Sequence, residues 1–104
     1  MAKYLFVYHG GSHPETDEEV AAVMDAWGAW MGGMGSAVVD GGNPVGMSTT
    51  VQPDGTVENN GGSNPASRYG IFEAADEADA IAKAQGCPIL EAGGSVELAE
   101  IIDM

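Results

Sequence analysis

Lys3-Tyr4-Leu5-Phe6-Val7-Tyr8-His9 decides how the chain folds. Strand side chains alternate between two faces, so Tyr4, Phe6 and Tyr8 fall on one side and Leu5, Val7 and His9 on the other. Both rows are largely apolar, and a chain this short has helices enough to cover only one face of a sheet. The second face is left for another subunit. The 104 residues fit a single domain, 1–104, with one core.

Outward from that strand, His9 to Pro14 reads as a loop, and Thr16-Asp17-Glu18-Glu19 has the spacing of a capping box that opens a helix. Val20, Val23, Met24, Trp27, Trp30, Met31 and Met34 recur at intervals of three and four, which puts them on one helical stripe ending at Gly35. Ala37 to Asp40 is a second strand, closed by the turn residues Gly41-Gly42-Asn43-Pro44. Gln52-Pro53-Asp54-Gly55 between two short β-type runs is the signal of an inserted hairpin. Asn59 to Pro65 reads as a loop, Arg68 to Glu73 as a strand, and Asp76 with Asp79 opens a second helix whose inner side is Ala78, Ile81 and Ala82. Ser95 to Ile102 closes the chain as a strand. The order βαβ, hairpin, βαβ is an α+β class, the ferredoxin-like split βαβ arrangement with sheet order 4-1-3-2. Two such sheets face to face make a dimeric α+β barrel, so the expected partner is a second copy of the chain.

Charge narrows the possible partners. Three basic residues, Lys3, Arg68 and Lys83, stand against 16 acidic ones, a net charge of −13, which repels nucleic acid and anionic lipid alike. Cys87 is the only cysteine, so no intrachain disulfide is expected and the cytoplasm is the default location. No apolar run is long enough for a signal-peptide core or a membrane span.

The opening KYLFVYHGG, the helix containing MDAWGAWMGGMG, the stretch VVDGGNP, the strand RYGIFEAAD and the close GGSVELAEI together resemble the YCII-related (DGPF) family. That resemblance implies a dimeric α+β barrel with a pocket beside the sheet, and some relatives are thought to be enzymes using a histidine and an aspartate. The Asp-Gly-Pro-Phe signature is absent where Glu58 to Asn64 stand, and the helix stretch Asp25 to Trp30 carries no histidine.

Read by topology, His9, Asp40 and Arg68 share one end of the sheet, with Ser12 and His13 in the loop entering the first helix. Such a cluster suits a small anion or polar metabolite, since a helix start offers free N–H groups and Arg68 a forked cation. His9 as base with Asp40 as its orienting carboxylate is the catalytic expectation, for a cofactor-independent lyase or isomerase. Ser12, His13, Trp27, Asn43 and Arg68 are the ligand-binding candidates; the competing role for Trp27 is plain core packing. A noncatalytic homodimer using the same pocket is the reading favoured by the missing signature and histidine. No metal or cofactor is expected: the four-residue spacing of His9 and His13, which with Asp40 are the candidate ligands, favours shared ligation only on a helix, and this segment contains two glycines and a proline.

Overall fold

In the computed structural model residues 1–59 and 64–103 are described; positions 60–63, inside the expected Asn59–Pro65 loop, lie outside them. The elements are β1 (Ala2–His9), α1 (Asp17–Met34), a 3-10 turn at Gly35–Ala37, β2 (Val38–Asp40), β3 (Thr50–Val51), β4 (Val57–Glu58), β5 (Ala66–Ala74), α2 (Glu77–Ala84), a second 3-10 turn at Pro88–Leu90, and β6 (Ser95–Glu100). The protein is α+β, with a four-stranded antiparallel sheet in the order β2-β5-β1-β6 and a separate two-stranded sheet, β3-β4.

Local chemistry explains most of the boundaries. Thr16 Oγ1 accepts from the Glu19 N–H at 3.1 Å while the Glu19 carboxylate reaches back to the Glu15 N–H at 2.8 Å, so α1 starts as its capping residues require. Gly35 stops it with φ 55°, a left-handed angle natural to glycine. Asp76 caps α2 by accepting from Asp79 N–H at 2.8 Å, and Asp79 returns a bond from Ala75 N–H at 2.9 Å. In the hairpin, Gly55 takes φ 87° and the Asp54 carboxylate holds both the N–H and the hydroxyl of Thr56.

Both helices pack on the face that carries Tyr4, Phe6, Tyr8 and Phe72, which with Trp27, Ala74, Ala80, Ala84, Cys87 and Ile89 make the core. Phe6 and Phe72 are ring neighbours at 4.7 Å across β1 and β5, and Trp30 lies 5.4 Å from Phe72. Gly70 stands opposite Phe6 because a Cβ there would press within 2.7 Å of the Phe72 ring.

Three expectations are corrected. The expected inner side of the second helix, Ala78, Ile81 and Ala82, is exposed, Ile81 at the rim of a groove beside β6, and α2 instead buries Ala80 and Ala84, the small residues that let it lie close to β5. The stripe of α1 is covered only in its C-terminal half: Val20, Val23 and Met24 stay exposed because the sheet underlies Trp27 to Met34 and not the first turns. The last strand ends at Glu100 rather than Ile102. The opposite face of the sheet, carrying Leu5, Val7, Tyr69, Ile71 and Ala99, has no layer over it among the described residues.

Candidate functional site

The sheet end that holds the expected cluster divides into two, and strand register is the reason. Arg68 pairs with Tyr8, so both side chains lie on the helix-covered face, whereas His9, the next residue along β1, alternates to the other face and meets Glu97 there. Arg68 and His9 are thus on opposite sides of the same sheet.

On the helix side, the Arg68 guanidinium carbon sits 4.3 Å from the centroid of the Trp27 ring, within cation–π range. Tyr8 packs edge-on to Trp27 at 5.1 Å and is fully buried. Two buried polar atoms here have no hydrogen-bond partner: the Tyr8 hydroxyl and Arg68 Nε. Among the described residues Arg68 also has no carboxylate partner; the only ion pairs are His9–Glu97 and Lys83–Asp79. Burial, and next the neighbouring Cys87, push the Tyr8 phenol upward, with Arg68 pulling the other way. Burial likewise pushes the Cys87 thiol up to about 11, against smaller opposing pulls from Ile89 N–H and Arg68, so it stays a thiol at neutral pH. The cluster thus offers a fixed cation and a neutral hydroxyl donor, and no nucleophile.

On the open side, His9 Nε2 lies 2.8 Å from Glu97 Oε1 and Nδ1 lies 3.2 Å from the Pro65 carbonyl. Both partners are acceptors, so the ring satisfies both only as the doubly protonated cation. The bond to Glu97 raises the pKa of His9 most, burial opposes it, and the Pro65 carbonyl adds to the rise.

Asp40 does not reach His9. It pairs with Ile71 while His9 pairs with Ala66, about 17 Å apart along β5 at the strand rise, and the Asp40 carboxylate is spent on the Gly42 N–H at 2.8 Å. The carboxylate beside His9 is Glu97, which the sequence hid because its neighbourhood follows from the β1–β6 register alone. Trp27 and Arg68 are brought together. Ser12 is tied by its backbone N–H to the Ala92 carbonyl at 3.0 Å, and its side chain and those of His13 and Asn43 are exposed, with no hydrogen bond to the Arg68–Trp27 pair among the described residues. Asn43 precedes Pro44, whose backbone bridges Arg68. Tyr8 was missed as a site residue because an aromatic in an apolar row reads as core; the one available clue was its place opposite the only arginine. Among the described residues no three His, Cys, Asp or Glu side chains gather as a metal site would need, and no helix is long and apolar enough to cross a membrane.

Fold and cluster together define a small two-layer α+β protein with an arginine-centred polar site under its first helix. Comparison of the chain with protein-family models, with curated proteins and with solved structures finds no match.

Proposed function

We propose that this chain is a noncatalytic, small-molecule-binding homodimer of the ferredoxin-like, dimeric α+β barrel kind, YCII-related in type and cytoplasmic, taking a small anionic or polar metabolite at Arg68, Trp27 and Tyr8. The observation that carries the reading is that, among the described residues, the chain's one arginine has neither a carboxylate partner nor an acceptor for its buried Nε, in a protein with 16 acidic residues. A ligand oxygen supplies the missing acceptor, and the protonated Tyr8 hydroxyl can donate a second bond. The strand order and the placing of both helices on one face support the ferredoxin-like assignment. Binding is favoured over catalysis because both nitrogens of His9 are already engaged, by Glu97 and by the Pro65 carbonyl, and Asp40 is engaged elsewhere. The free, buried Cys87 suits a reducing compartment.

Titration with acetate, succinate and inorganic phosphate, followed by tryptophan emission, tests it directly because Trp27 lies against the cation. A saturable change is expected for at least one of the three. Arg68→Ala should weaken that binding by about 1.5–3 kcal/mol, the value of hydrogen bonds to a charged group. Equal affinity in Arg68→Ala, or no saturable change with any probe, overturns the proposal.

A further inference from the structure

We infer that the edge strand β6 and the apolar groove beside it form a docking site for an extended, alternately apolar and basic segment of another protein, added to the sheet as a fifth strand.

Backbone geometry gives the first reason. Among the described residues β6 is an edge, pairing with β1 alone. Ile101 N–H donates to the Lys3 carbonyl at 2.8 Å, which makes Lys3–Ile101 a hydrogen-bonded pair. Counting back along the register, Leu5–Ala99 and Val7–Glu97 bond in the same way, whereas Tyr4–Glu100, Phe6–Leu98 and Tyr8–Val96 do not. The N–H and C=O groups of Val96, Leu98 and Glu100 therefore point away from the sheet. Among the described residues no backbone hydrogen bond reaches them from outside it. Nor does β6 carry the proline, lysine or bulge with which sheet edges are commonly closed.

The side chains of those same residues give the second. Val96 and Leu98 lie on the helix side, where they floor a groove of about 340 Å³ walled by Ile81, Ala84 and Leu90. Ile81 and Leu90 remain 42% and 41% exposed there. A strand laid along β6 places every second side chain on that face, over the groove, in the way that strand-addition sites read alternate residues.

Charge selects the occupant. Glu77 lines the groove, Glu100 stands at the end of β6, and Glu97, with a side chain 70% exposed, faces the other side of the edge. Basic residues at the positions between the apolar ones fall on the other face of the edge, where they meet Glu97, in a chain of net charge −13. A second copy of β6 is disfavoured by charge, since edge-to-edge pairing brings together two chains of net charge −13. The groove lies on the face opposite Leu5, Val7 and Ile71, so it stays open whether or not two sheets pair.

The probe is the peptide acetyl-Lys-Val-Lys-Leu-Lys-Val-Lys-amide, with a copy N-methylated at its three apolar residues, whose N–H groups are the ones that bond β6. Calorimetry should give 1:1 binding in the micromolar range that weakens with salt, and hydrogen exchange should slow at the amides of Val96, Leu98 and Glu100. N-methylation, and separately Ile81→Lys at an exposed groove position, should each cost tenfold or more. Equal binding by the N-methylated copy would mean charge attraction without strand addition and overturns the inference. So does absence of binding at millimolar peptide, or protection of those three amides in the free protein that disappears on dilution, which assigns the edge to a second copy.

Discussion

At the scale of single residues, two positions carry most of the information. Gly42 has φ 72°, and a Cβ added to it would fall 1.6 Å from the Tyr69 carbonyl oxygen. Neither strain nor clash can be relieved by a side chain moving aside, so Gly42→Ala should lower unfolding free energy by at least about 2–3 kcal/mol in urea titrations. Unchanged stability would show that the β2 turn does not press on β5. His9 makes a pH-dependent contribution whose sign follows from its raised pKa. The stabilisation is fully present below the unfolded value of about 6.5 and is lost as pH rises through the higher folded value. The stability gap between the natural chain and His9→Gln should accordingly be wider at pH 5.5 than at pH 9, and a gap that is flat or grows with pH contradicts the Glu97 pairing. The sequence pointed to His9, Asp40 and Arg68 as residues of one sheet end, which is a statement about strand ends. Alternation along β1 puts His9 on the face opposite Tyr8, but the face of Arg68 follows from its pairing with Tyr8, which the sequence could not give.

Among elements, what the sequence made legible follows from how local each signal is. The Thr16 and Asp76 caps and the Asp54-Gly55 turn depend on residues within four positions of one another, and each forms as its spacing suggests. The inner face of α2 is not legible in this way, because alanines on every side give almost no apolar contrast and the choice falls to packing against Phe72 and Ala74. Nor does the period of α1 reveal how far the sheet extends beneath it, so Val20, Val23 and Met24 looked as buried as Trp27. One long-range tie joins the helices: the Trp30 indole N–H donates to the Lys83 carbonyl at 2.9 Å, near the C-terminus of α2. Trp30→Phe keeps a ring against Phe6 and Phe72 but leaves that half-buried carbonyl without its donor, and should cost about 1–3 kcal/mol by thermal or chemical denaturation. A neutral substitution would mean the carbonyl is satisfied by water.

The whole molecule is a plate, 43 × 42 × 18 Å, with a radius of gyration of 14.9 Å where a compact chain of this length has about 13 Å. The second apolar row of β1 lies on the side of the sheet that no helix covers among the described residues. Leu5→Glu, at a position 38% exposed in the single chain, should be tolerated by a monomer and should disrupt a sheet-to-sheet dimer, since a charge buried without a partner costs several kcal/mol. Sedimentation of the natural chain as a dimer that tightens with salt, and of the variant as a monomer, is the expected pair of results; a compact monomer for both refutes the pairing. The position of β1 at the middle of the sheet also sets a schedule for biosynthesis. Its neighbours β5 and β6 are encoded after α1 and the hairpin, so a ribosome adding about 5–20 residues per second needs roughly 3–13 s between finishing β1 and finishing β5. Through that interval Tyr4, Phe6 and Tyr8 have no strand to pair with and only α1 to lie against. The β1–β5 pairing therefore closes a long loop, a non-local contact of the kind that slows folding.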